Sequence, residues 1–458
     1  MQIQSAPSCQ RPLKNWTVVG HIDAASNLEM DELRHTACLQ TVDPQDVNVV
    51  MEVRRKAFNP SKKKDWDAQE RREHKLLGVT AAALSATSFG VAGMSLSGVP
   101  GLAAVAAVVG LGSALLAGSQ LMKSVPPPAL KQAPPKHEEP AWEGTRVYEL
   151  TASTGRSPKR LDSPILSSNE NTKPLTPQEL GHNLAEQMKA YPSKHTAVLL
   201  AGHGNAFHSW SDYTVDQVAE ALGQAAQEAG KKIDLVVFDS CLMGSMEGLS
   251  KLAPHARYAV ASEEIMFTGH RAWDLVFNDL HGAQGDPRQL GEAMVKGLGG
   301  HWEARTMSLV DLSQLEPLKA NVETLAEKLL RDTRGADRAG IAEAFDVRTF
   351  GSTYTGNKEW GGYGDLGEVL ENLQTKVHQA DTLEALAQAR QALQKSVISQ
   401  RNQMCYDHAQ GLSVRVPTHN FGAKEYLAKT GMEQWGKLMA ELRPAPRDRT
   451  IINHRNIL

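Results

Sequence analysis

Two apolar, β-branched runs, residues 197–201 and 233–238, each stop abruptly at a polar cluster. The first cluster holds His203 and Gly204; the second holds Asp239, Ser240 and Cys241. Between the runs, VDQVAEALGQAAQEAG sets Val215, Val218, Ala219, Leu222, Ala225 and Ala226 on one helical face. Strand, helix, strand predicts a βαβ unit with parallel strands and a right-handed crossover. Both clusters then lie at the carboxyl ends of strands, where open α/β sheets bind ligands.

The same alternation of buried strand and amphipathic helix begins near the start of the chain. Residues 16–22 (WTVVGHI) and 47–53 (VNVVMEV) read as buried strands, with a helix carrying Leu28, Leu33 and Ala37 between them. The pattern then breaks. Residues 54–75 are strongly basic, starting with Arg54 and Arg55, and residues 76–122 contain no charged side chain. Pro100-Gly101 divides the uncharged stretch into two segments, each about long enough to span a bilayer. A helical hairpin held on the cytoplasmic side by its lysine and arginine flanks is one reading. A pair of buried soluble helices is the other. A proline-rich linker follows.

Residues 145–153 (TRVYELTAS) return to strand, and residues 155–173 read as a loop containing Arg156, Lys159 and Arg160. Thr176, Pro177 and Glu179 then spell a helix start: N-cap, N1 and N3 of a capping box. After Cys241, LMGSMEGLSKLA reads as a helix whose amino end lies at the cysteine, and ARYAVAS as another parallel strand. Further helices are expected near 273–280, at 287–298, over 313–347 and over 380–398; strands are expected at 305–310 and 411–417. The segment 351–365, rich in glycine and aromatics, reads as a loop near a binding surface.

Composition adds limits. With 458 residues, 41% hydrophobic and 22% charged, the chain is globular, and a net charge of −3 carries no nucleic-acid signal. The four cysteines, Cys9, Cys38, Cys241 and Cys405, form no CxxC pair, so neither a zinc knuckle nor a disulfide framework is indicated. The first residues lack the apolar core of a cleavable secretion signal. The expected location is therefore the cytoplasm or the cytoplasmic side of a membrane. No metal motif stands out. His208, His255 and His270 read as surface residues.

The chemistry gathers where the two strands end. A cysteine attacks a carbonyl as its thiolate. His203 within reach is a candidate general acid/base, and the amino end of a following helix would favour the anion. The N–H groups of Gly204 and Cys241 are candidates for an oxyanion hole. Each residue alone has a plainer reading: a buried cysteine as a small core residue, a strand-end histidine as a polar cap, Asp239 as a helix cap.

Taken together, HTAVLLAGHG, VVFDSCLMGSMEG and YAVASEE resemble the clostripain-like family of cysteine peptidases, in the caspase-like clan. WTVVGHIDAASNLE, GYGDLGEVL and GLSVRVP are similar to other segments of that family. The resemblance implies a caspase-like three-layer α/β sandwich around a mostly parallel sheet, here carrying an inserted apolar hairpin. It implies a peptidase domain in two parts, residues 1–53 and 146–458, separated by the basic flank and hairpin (54–125) and the linker (126–145). It implies His203 and Cys241 as the catalytic dyad and protein or peptide substrates cut after Arg or Lys. Asp239 occupies the family's acidic position beside the nucleophile, with Glu263 and Asp274 as further candidates for the basic side chain. Calcium is needed by some relatives, but no calcium loop is readable here, and no other cofactor is expected. The chain departs from the family in three ways. Residues 20–25 have lost part of the usual acidic turn. The segment from Gly204 to Gly230 has no Lys or Arg for self-cleavage. The uncharged hairpin is extra. A competing reading is an inactive peptidase-like binding module, or a membrane-active effector working through the hairpin.

Overall fold

Parallel sheets covered on both faces need strands that are apolar along most of their length, and the chain supplies five of them. They are β1 (Lys14–Ala24), β2 (Val47–Arg55), β5 (Ser193–Ala201), β9 (Ile233–Asp239) and β10 (Ala256–Ala261). In the computed structural model they run parallel as neighbours in the order β10-β9-β5-β1-β2. Antiparallel strands extend both edges: β3 (Gly144–Leu150) and β4 (Ile165–Asn169) beyond β2, β11 (Thr306–Asp311) and β13 (Val397–Asn402) beyond β10. The result is a nine-stranded, mostly parallel sheet. The structure describes residues 11–26, 29–41, 47–56, 142–151, 161–266, 285–298, 306–351, 362–403, 406–418 and 421–443.

Helices cover both faces. On one lie α2 (Pro177–Ala190) and α3 (Val215–Ala229) over Val19, Val198, Leu200, Val236 and Phe238. On the other, Leu33 of α1 (Glu29–Cys38) joins Val18, Leu199 and Val237 in the second core. The expected capping box is present: Thr176 accepts from the Glu179 N–H, and Glu179 accepts from the Thr176 N–H. α3 starts on a second box, Thr214 with Gln217, and ends at Gly230 in the left-handed conformation. Its buried Val215, Val218 and Leu222 each contribute roughly 1.5–3 kcal/mol. That outweighs an exposed ion pair, worth about 1 kcal/mol at most.

Several expectations change. The segment after Cys241 does not become a helix at once: α4 spans only Met246–Ser250, capped by Ser245. The stretch 313–347 is two helices, α5 (Leu315–Asp332) and α6 (Arg338–Ala344), because a turn closed by the Gly335 N–H on the Asp332 carbonyl interrupts it. The loop expected at 155–173 contains β4, an edge strand without apolar alternation. The strand expected at 411–417 is β14 (Ser413–Arg415), which pairs with β12 (Tyr363–Asp365) in a separate small sheet.

β2 continues through Arg54 and Arg55, two residues past the expected boundary at 53. Both arginines are buried and ion-paired, Arg54 with Asp23 and Arg55 with Glu29, so they belong to the sheet rather than to a membrane flank. Met1–Ala57 and Glu139–Pro446 form one compact unit. The hairpin expected at 76–122, the sites Arg156, Lys159 and Arg160, and the helix near 273–280 lie outside the described residues. Among the described residues no helix is long and apolar enough to cross a membrane.

Candidate active site

The pairing of β5 with β9 sets Ala201 opposite Asp239. His203 and Cys241 are each two residues beyond that rung, so both stand at the same carboxyl edge. The Gly202 N–H donates to the Asp239 carbonyl at 3.3 Å and carries the pairing one step further. Gly202 has φ +145°, and a β-carbon there would strike Ser211. A β-carbon on Gly204 would overlap the Cys241 carbonyl oxygen. The two strand ends therefore touch through backbone, and only glycine fits the contact.

A small antiparallel hairpin sheet builds the histidine side: β6 (Gly204–Asn205), β7 (Ser209–Trp210) and β8 (Tyr213–Thr214). The Ser211 N–H donates to the His203 carbonyl at 2.7 Å. The Trp210 indole N–H donates to the Ser240 hydroxyl at 3.0 Å, next to the cysteine. One hairpin thus ties down both reactive positions. Ser211 holds φ +49° at its tip, a strained state for a residue with a side chain.

The half-buried Cys241 thiol lies against the Met266 backbone, 3.4 Å from its N–H and 3.5 Å from its carbonyl oxygen. Burial pushes the thiol up to about 12; the Met266 N–H opposes this, and Glu264, Asp239 and Glu32 add to it. The expected helix dipole does not help, since α4 begins five residues later and Leu242 intervenes at φ +62°. The His203 imidazole is lowered by burial and drawn back up by Asp23 and Asp212. Both partners are neutral in this state, a thiol and an imidazole.

The expected carboxylates separate. Asp239 ends β9 with 8% exposure, two residues before Cys241. Glu263 is 1% exposed, and burial and Asp365 raise its carboxyl well above the usual range. A neutral buried acid does not recognise a cation by charge. Asp274 lies outside the described residues. Glu264, which no sequence motif marks, is fully buried and accepts from the N–H groups of Ile265 (2.7 Å) and Gly351 (2.8 Å) and from the Tyr406 hydroxyl (2.6 Å). It pins the segment that covers the thiol; nothing in the run Ser262-Glu263-Glu264 distinguishes it from its neighbour.

Two histidines read as surface residues are partly enclosed. His208 stacks on Phe207 and burial lowers it to about 4, while His255 packs against Gly223. Among the described residues, His182, Glu186 and Glu228 could together hold a metal ion, but Lys189 already lies 3.1 Å from Glu186.

A cysteine and a histidine that end neighbouring strands at one carboxyl edge of a mostly parallel sheet suit a hydrolase site. The model of the clostripain family matches residues 168–428, more than half of the chain. The chain belongs to the clostripain family and is a cysteine peptidase. Solved structures share the fold. A secreted C11 cysteine protease from Bacteroides thetaiotaomicron, in complex with an irreversible peptide inhibitor, is 12% identical with a TM-score of 0.54, covering 93% of this chain and 99% of that one. An inactive zymogen C11 protease from Parabacteroides distasonis is 12% identical with a TM-score of 0.52, covering 95% and 99%. No curated protein matches the chain.

Proposed function

We propose that the chain is an endopeptidase that cleaves proteins after Arg or Lys, with Cys241 as nucleophile and His203 as general acid/base. The observation that carries this reading is the Ala201–Asp239 rung, from which both residues project two positions on. The Cys241 thiol proton passes to the His203 ring nitrogen as sulfur attacks the substrate carbonyl. The oxyanion forms beside the N–H groups of Gly204 and Cys241. His203 returns the proton to the leaving amine. Water, deprotonated by His203, then hydrolyses the thioester. Asp239, two residues before the nucleophile, meets the basic side chain in a charge-assisted pair.

The test is a peptide-library cleavage profile of the full chain beside Cys241→Ala. Cleavage after Arg and Lys by the wild type alone is expected. Cleavage by the variant, or wild-type cleavage with no basic preference, overturns the reading.

A further inference from the structure

Two carboxylates act on His203 through space, and one buried guanidinium holds them both. The Arg54 Nη2 donates to Asp23 Oδ1 at 2.7 Å and also to Asp212 Oδ2, while Nη1 donates to the Thr172 carbonyl at 3.3 Å. Arg54 and Asp23 are almost fully buried; Asp212 has 52% of its side chain exposed. Asp23 lies across from Gly202, where a β-carbon would come within 3.1 Å of the Asp23 β-carbon. Asp212 follows Ser211, whose N–H holds the His203 carbonyl. One carboxylate thus approaches the histidine from β1 and the other from the hairpin, and β2 supplies the clamp between them.

We propose that Asp23 and Asp212, joined through Arg54, act as positioning residues that stabilise the imidazolium of His203 once it has taken the proton of Cys241. The proposal rests on His203 being the base for Cys241. Burial alone disfavours a charged imidazole, and proton transfer from sulfur creates that charge. Asp23 and Asp212 both pull His203 toward its protonated form. Arg54 has two effects of opposite sign. It holds the buried Asp23 and the exposed Asp212 in place by direct ion pairs, and it tempers the field of both carboxylates so that the resting imidazole stays free to accept a proton. Among the described residues, the charged or titratable groups around this assembly include Asp23 and His21 of β1, Arg54 and Glu52 of β2, and Asp212 of the hairpin. Tyr213 beside them is raised by burial and stays neutral.

The experiment titrates the His203 ring by NMR in ring-15N-histidine-labelled full-length Cys241→Ala protein, assigned by difference from His203→Gln. It is paired with the acid limb of kcat/KM on an arginyl peptide in the Cys241-containing enzyme. Asp212→Asn should lower the His203 titration and the acid limb by roughly half a pH unit, the exposed carboxylate being screened. Arg54→Met should raise both by about one pH unit, and Arg54→Lys should bring them back toward wild type. Opposite movement in Asp212→Asn and Arg54→Met is a result that a merely structural role does not produce. Movement of both in one direction, or of neither, overturns the proposal. If Arg54→Met fails to fold, Asp212→Asn decides alone: no downward movement refutes the clamp. Because the ring titration needs no turnover, failure of the clamp is distinct from failure of the peptidase reading, which shows as cleavage persisting in Cys241→Ala.

Discussion

Adding a single methyl at Gly204 tests the contact on which the site depends. Gly204 does not hold a left-handed backbone, so the effect of Gly204→Ala is steric. The new β-carbon would overlap the Cys241 carbonyl oxygen and lie 3.0 Å from the Cγ and Sδ of Met243. The Met243 side chain can turn aside; the carbonyl moves only with the backbone of Cys241. Relieving the overlap to an ordinary contact needs a shift on the order of 1 Å. Overpacking of this kind costs about 1–3 kcal/mol in stability. That lowers the melting temperature by roughly 2 °C or less per kcal/mol in a unit of this size. The effect on catalysis is larger, since a misplacement near 1 Å costs about 100-fold in rate. The assay is kcat/KM on an arginyl peptide together with thermal melting of the same samples. The expected outcome is a cooperative fold melting within a few degrees of wild type, with kcat/KM reduced about 100-fold. Activity within threefold of wild type would show that the strand ends do not meet as described.

Two further outcomes follow from the buried groups. With its thiol pushed up to about 12, Cys241 in the free enzyme should be alkylated by iodoacetamide at a rate that keeps rising through pH 10; a plateau near pH 7 would mean that the resting pair is already thiolate and imidazolium. Glu263, with its folded carboxyl raised by burial and Asp365, contributes stability that is fully present below the unfolded carboxyl value of about 4.3 and is lost as pH rises through the folded value. While the native state holds that extra proton, stability should fall with pH by up to about 1.4 kcal/mol per pH unit. Urea unfolding of Glu263→Gln between pH 5 and 8 should show a shallower decline than wild type, and an unchanged slope would refute the assignment.

Periodicity along the chain was enough for the elements that are buried on both faces. The runs around Val198 and Val236 could only be interior parallel strands, the face of Val215, Val218 and Leu222 could only be a docked helix, and Thr176 with Glu179 marked a helix start through local hydrogen bonds alone. These features depend on neighbours close in sequence, so the sequence carries them. Partners far apart in the chain are another matter. Arg54 opens a basic run, yet β2 buries it between Asp23 and Asp212, 31 and 158 residues away. Glu263 and Glu264 are adjacent and chemically alike, yet one is raised beside Asp365 while the other accepts three hydrogen bonds next to the thiol. Cys241 precedes a helical pattern, yet Leu242 turns the backbone left-handed and Ser245 delays the helix. Which charge is paired, neutral or aimed at the site depends on burial and on residues brought together by the sheet, and only the tertiary structure decides that.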